Sequence, residues 1–123
     1  ANGQIDVICA EPELARDAHD SLRTGRLQSA MPPSTVADGL RTALGQLNFE
    51  ILRQHKVAVV LVDDEAILAA MRLIWNRLKI VVEPSAAVCL AAMLRDPKRV
   101  AARAGIILSG GNVSPPGLQA GRC

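Results

Sequence analysis

The residues of this chain that could do chemistry fall into a few short groups. Ser109-Gly110-Gly111-Asn112 follows directly on the apolar run Gly105-Ile106-Ile107-Leu108. A glycine-rich turn at the carboxyl end of a buried strand is where open α/β sheets bind ligands. Glu11, Glu13, Asp17 and Asp20 form an acidic cluster that helix capping and solvation explain. Glu83 stands immediately before Pro84, where a helix dipole favours negative charge. The three cysteines, Cys9, Cys89 and Cys123, are odd in number and far apart, with no C-x-x-C pair, so neither a zinc knuckle nor a disulfide framework is signalled. Cys9 and Cys89 lie in apolar runs and read as small core residues, which suits a reducing cytoplasm. His19 and His55 sit on polar helical stretches and read as surface residues.

Hydrophobic patterning gives the elements that must position these groups. Ile5 to Ala10 reads as a short buried strand ended by Glu11-Pro12. Leu14 to Leu22 is compatible with a helix, with Gly25 as its C-cap. Residues 28 to 36 hold Met31-Pro32-Pro33-Ser34 and read as a loop. Ala37 to Leu44 and Phe49 to His55 read as two short helical pieces around Gly45. Val57 to Val62 is the clearest strand, followed by Asp63-Asp64 as an N-cap, Glu65 in the first turn, and a helical stripe over Ile67 to Leu78.

After Ile80-Val81-Val82, Glu83-Pro84 opens a helix over Ser85 to Leu94. Proline at the first helical position sacrifices no hydrogen bond. That helix is almost wholly apolar and should be buried on most sides; Pro97 stops it. Gly105 to Leu108 reads as a final strand, and the tail from 114 to 123 as disordered. Strands apolar on both faces, alternating with helices, imply an α/β fold: a mainly parallel sheet with helices on both faces.

Bulk composition removes several function classes. Of 123 residues, 50% are apolar and 21% charged, enough for a core and against disorder. The formal net charge of +2 is small and its basic residues are scattered, and one Phe, one Trp and no Tyr leave no platform for stacking bases. Nucleic acid is therefore not an expected partner. The longest apolar run, Ala86 to Leu94, is far shorter than the roughly 20 residues of a membrane span, so no membrane association is expected. No signal peptide is visible at Ala1-Asn2-Gly3-Gln4, and a cytoplasmic location is expected.

Four segments, in this order, resemble one family: Val7-Ile8-Cys9-Ala10-Glu11-Pro12, Thr35-Val36-Ala37-Asp38-Gly39, Val81-Val82-Glu83-Pro84-Ser85-Ala86-Ala87, and Leu108-Ser109-Gly110-Gly111-Asn112-Val113. Each is weak alone. Together they resemble the C-terminal part of the large domain of serine racemases and short serine/threonine dehydratases, fold-type II enzymes that use pyridoxal phosphate. Residues 1–113 are accordingly expected to be part of such a domain.

The resemblance implies roles residue by residue. Ser109 matches the serine that hydrogen-bonds the cofactor's pyridine nitrogen, with Gly110 and Gly111 letting the backbone pass close to the ring. A neutral hydroxyl does not keep that nitrogen protonated as a carboxylate would, which suits α-proton removal followed by β-elimination. Glu83 and Asp38 match carboxylates near the active site, Glu83 on the cofactor side and Asp38 on the substrate side. Glu11, Asp17 and the main-chain carbonyl of Ala15 match a site for magnesium, manganese or calcium, hard cations that take oxygen ligands. Lys79 and Asn112 match positions that contact a nucleotide effector in mammalian-type serine racemase.

The implied activity is elimination of water and ammonia from a small amino acid, serine or threonine, to give a 2-oxo acid; racemisation of serine is a close alternative. Family members hold the cofactor covalently on a lysine in a Ser-Phe-Lys-x-Arg-Gly type segment and cradle its phosphate in a glycine-rich loop. Neither motif occurs in these residues. The chain is therefore expected to begin just after the phosphate loop. It should need an N-terminal partner segment, be inactive alone, and in the parent enzyme belong to a homo-oligomer. A non-catalytic fragment is the third expectation.

Overall fold

A computed structural model describes residues 5–30, 32, 34–99 and 103–114. Met31 and Pro33 of the expected loop, Cys123, and all of the expected tail except Ser114 lie outside these residues. The chain is an α/β unit. Strand β1 (Ile8–Pro12) pairs in parallel with β2 (Ala58–Val62), Ile8 opposite Ala58 and Pro12 opposite Val62. The crossover between them carries a 3-10 turn over Glu13–Ala15, helix α1 (Asp17–Thr24), a second 3-10 turn over Asp38–Leu40, and helix α2 (Gln46–Gln54). Helices α3 (Asp64–Leu78) and α4 (Pro84–Arg95) follow β2.

Local chemistry explains where the helices start and stop. Gly25 closes α1 in the left-handed region at φ 71°, the conformation glycine adopts without a Cβ clash. Asp63 caps α3: its carboxylate accepts from Ala66 N at 2.7 Å. Pro84 occupies the first turn of α4, where its missing N–H leaves nothing unpaired.

The core lies mainly between α3, α4 and the strands. Ile67, Ala70, Met71 and Ile74 of α3 pack with Ala86, Ala87, Val88 and Ala91 of α4, and Val62 and Val82 join them. The alanines of α4 let the two helices approach closely, and each large aliphatic chain withdrawn from water contributes about 1.5–3 kcal/mol. Cys9 and Cys89 are partly buried free thiols. Burial pushes both thiols up, with repulsion from Glu11 adding at Cys9, as suits packing residues rather than nucleophiles.

Three expectations need correction. Residues 105–108 are not a strand; among the described residues the sheet has two strands. Ile107 points outward, 80% exposed, while Ile106 is partly buried and Leu108 packs against the core. An apolar run favours a sheet, but a strand exists only where a neighbour offers its backbone, and 105–108 pairs with neither β1 nor β2. Residues 37–44 form a single turn, Asp38–Leu40, rather than a helix; the side chains of Asp64 and Ser85, from α3 and α4, hold this loop. The first strand begins at Ile8, not Ile5, because β2 offers its first partner at Ala58.

Candidate active site

The segment after Leu108 is tied to the start of α4 by one residue. Glu83 N donates to Gly110 O at 3.1 Å, and Glu83 Oε2 accepts from Asn112 N at 3.0 Å. Its carboxylate makes no capping bond to its own helix. Glu83 thus gives both its main-chain N–H and its carboxylate to Gly110–Asn112, while its carbonyl accepts from Ala86 N, a use that a simple favourable helix charge does not account for. Ser109 stands exposed at the head of this turn. One residue earlier, Trp75 Nε1 donates to Val82 O at 2.9 Å and fixes the approach to Glu83.

Three glycines let the backbone come close to Glu83 and its neighbours. A Cβ on Gly110 would lie 2.6 Å from Glu83 Oε1, and one on Gly111 would lie 2.6 Å from Val81 O. On the other side, a Cβ on Gly39 would lie 2.9 Å from Ser85 Oγ and 3.8 Å from Glu83 Oε1. Gly39 N donates to Ser85 Oγ at 3.0 Å and to Asp38 Oδ1 at 2.9 Å. Glu83 therefore lies between the Asp38-Gly39 loop and the Ser109-Gly110-Gly111 turn. Asp38 and Asn112 are exposed at this place, whereas Lys79 is exposed at the C-cap of α3, where its backbone is left-handed at φ 60°.

Glu11 and Asp17 meet at a second place. They line a cavity of about 290 Å³ with Cys9, Asn48, Leu40 and Val59 among its other walls. Glu11 Oε1 accepts from Ala18 N at 3.0 Å and Oε2 from His19 N at 2.8 Å, so it satisfies two of the free amides at the head of α1. Asp17, buried, accepts from Leu44 N at 2.7 Å. Loss of water pushes the Glu11 carboxyl up and the nearby Asp17 charge adds to it, against the two N–H bonds that oppose them. Ala15 is buried in the adjoining turn and does not line the cavity. Among the described residues no three His, Cys, Asp or Glu side chains gather as a metal cluster; two carboxylates and a carbonyl would form the all-oxygen set that hard cations take. His19, expected at the surface, is partly buried, with its N–H on Glu11 and its ring 3.2 Å from Asp20 Oδ1.

Sequence reasoning did not find Thr35, Asp64, Ser85 and Trp75 as supports of the site. Thr35 and Ser85 stand within motif segments and Asp64 beside the cap Asp63, but the bonds through which they act cross from one element to another.

This geometry belongs to a known class. The chain matches the family model of pyridoxal-phosphate dependent enzymes over residues 1–110. It belongs to that family, among the fold-type II enzymes that include serine racemases and serine/threonine dehydratases. It is 44% identical over 117 residues to a serine racemase of Dictyostelium discoideum, covering 91% of this chain and 36% of that protein. It is also 44% identical over 108 residues to a beta-hydroxyaspartate dehydratase of Paracoccus denitrificans, covering 87% of this chain and 34% of that protein. The solved structure of maize serine racemase superposes with a TM-score of 0.84 at 40% identity, over 92% of this chain and 36% of that one. The chain spans about a third of the length of the curated relatives it matches.

Among the described residues, those at Glu83 and Ser109 fit one edge of the cofactor. The exposed Ser109 hydroxyl, neutral and able to donate or accept, is of the kind that suits a pyridine nitrogen. No helix among the described residues is long and apolar enough to cross a membrane.

Proposed function

We propose that this chain is the part of a pyridoxal-phosphate-dependent serine or threonine dehydratase that grips the pyridine edge of the cofactor. The observation that carries it is the double hold of Glu83 on Gly110 and Asn112, which leaves Ser109 exposed at the head of a fixed turn. The bound cofactor would supply the electron sink that lets a substrate lose its α-proton. Ser109 would hydrogen-bond the ring nitrogen, Gly110 and Gly111 would back the ring, and Asp38 would face the substrate. Glu83 would keep the turn in register with the Asp38-Gly39 loop.

The whole protein would be a cytoplasmic homo-oligomer acting on a small hydroxy amino acid to release ammonia and a 2-oxo acid. Racemisation of serine is the second reading, supported by the 44% identity to a protein named serine racemase. Both begin with loss of the same proton, so the residues described here would serve either. We also infer that Glu11, Asp17 and the Ala15 carbonyl hold magnesium, manganese or calcium, and that Lys79 and Asn112 face an effector in the whole protein.

The test is 2-oxo acid formation from serine and threonine by the intact enzyme carrying this chain, with Ser109→Ala and Ser109→Asp compared to wild type. The reading requires both variants to lose activity and to shift the cofactor's visible absorbance. Wild-type turnover with neither variant impaired would remove Ser109 from the site.

A further inference from the structure

The loop over residues 35–41 approaches the same Glu83 carboxylate that Gly110 packs against, yet it has little structure of its own. Its one 3-10 turn, Asp38–Leu40, is too short to hold a conformation alone. Its first residues are gripped from α3. Thr35, fully buried, donates its hydroxyl to Asp64 Oδ1 at 2.6 Å, and Val36 N donates to Asp64 Oδ2 at 2.9 Å. The Thr35 hydroxyl also accepts from Ala37 N at 3.2 Å, which turns the chain toward Asp38. Arg41 closes the loop on itself by donating to Thr35 O through Nε at 2.9 Å.

We propose that Asp64 is a positioning residue for the substrate-facing wall of the site, acting through Thr35 and Val36 on Asp38 and Gly39. Both of its carboxylate oxygens are given to the loop, although its place in the first turn of α3 would let it bond that helix's own free amides. The neighbouring Asp63 already does so. Two adjacent aspartates thus divide two tasks: Asp63 starts the helix and Asp64 fastens the loop. At its far side the loop rests on α4 through the Gly39 bond to Ser85 Oγ. With Asp64 in place, the gap between Gly39 and the Glu83 carboxylate is fixed by α3 and α4 together. Without it, the loop keeps the Ser85 bond, its internal bonds and the packing of Val36, Ala37 and Leu40 on the core. It loses both bonds that tie Thr35 and Val36 to α3, and Asp38 and Gly39 shift relative to Ser109.

The role rests on the cofactor reading above, and the experiment separates the two. In the intact enzyme carrying this chain, Asp64→Ala is compared with Asp64→Asn and with the capping control Asp63→Ala. Asparagine keeps an acceptor for Val36 N and offers an N–H to Thr35 Oγ. Asp64→Ala is expected to raise KM for the amino acid on the order of tenfold, the scale of losing a charge-assisted hydrogen bond. The cofactor's absorbance and affinity should stay unchanged. Asp64→Asn should recover most of that loss, and Asp63→Ala should lower the melting temperature without moving KM. Amide hydrogen exchange gives a readout that needs no turnover: Val36, Ala37 and Gly39 should exchange faster in Asp64→Ala and at the wild-type rate in Asp63→Ala. Unchanged exchange at those amides overturns the clamp. So does an Asp64→Ala defect that Asp63→Ala reproduces in both KM and cofactor affinity. If no variant, wild type included, binds the cofactor, the functional reading fails while the exchange comparison still decides the clamp.

Discussion

Glu83 and Gly110 are packed so closely that a Cβ at position 110 would lie 2.6 Å from one carboxylate oxygen and 3.0 Å from the other. Gly111 has an equally short clearance, but against the carbonyl of Val81. These two clashes differ in kind. The Glu83 carboxylate is the end of a side chain and can swing away, losing its bond to Asn112 N; the Val81 carbonyl is backbone and cannot. Gly110→Ala should therefore cost little stability, within about 1 kcal/mol, while abolishing the specific cofactor spectrum of the intact enzyme. Gly111→Ala should cost about 1–3 kcal/mol, as overpacking against fixed backbone does. Thermal melts and cofactor titrations of the two variants check this, and equal melting losses would contradict the distinction.

Much of the fold was legible because its signals are local. Asp63 as a cap, Pro84 at the head of α4 and Gly25 as a left-handed stop are each decided within a few residues. The strand expected at 105–108 failed because a strand depends on a neighbour that the pattern does not encode. The helix expected at 37–44 failed for the converse reason: the loop's shape is set by Asp64 and Ser85, both more than twenty residues away in the chain. The site residues were legible as motifs, but the geometry that joins them was not. Nothing in the spacing shows that Glu83 bonds Asn112 rather than its own helix.

Glu11 should make stability depend on pH in a direction opposite to most carboxylates. Burial, then repulsion from Asp17, raises its pKa in the folded chain above the ordinary glutamate range, despite the bonds from His19 N and Ala18 N. The folded state therefore holds the proton more tightly than the unfolded state. The associated stability is fully present below the unfolded pKa and is lost as pH rises through the folded one. With divalent cations removed, the melting temperature of wild type should fall relative to Glu11→Gln as pH climbs through that window. The constant penalty of glutamine, which can accept only one of the two N–H groups, cancels in the slope. Parallel curves would count against the raised pKa.

Magnesium should act on the same pair. Cation ligands must be ionised, so binding has to expel the proton that burial favours on Glu11. Near neutral pH, magnesium at a hundred times its dissociation constant should stabilise wild type by about 2.7 kcal/mol, and the gain should shrink at acidic pH. Asp17→Ala will be less stable from the outset, since Leu44 N loses its acceptor; the measurement is the difference made by magnesium within each protein. The same magnesium-dependent rise in both proteins would remove Asp17 from the cation site.

The isolated 123-residue polypeptide should not capture pyridoxal phosphate at a specific site. Ser109 offers one hydrogen bond to the ring, a net contribution on the order of 1 kcal/mol, against roughly 8 kcal/mol for micromolar binding. Covalent capture would need a lysine beside the site. Lys56 follows the end of α2 with a left-handed backbone at φ 51°, Lys79 caps α3, and Lys98 lies beyond α4 in the turn Pro97–Arg99. All three are exposed, and none has a bond to the loop at Asp38-Gly39 or to the turn at Ser109. Mixed with the cofactor, the polypeptide should give only the weak, non-saturating absorbance of random lysine modification, unaltered by Ser109→Ala. It should form no 2-oxo acid from serine. A saturable visible band that Ser109→Ala abolishes would show instead that one of these three lysines reaches the site. Replacing each lysine by arginine in turn would then identify it.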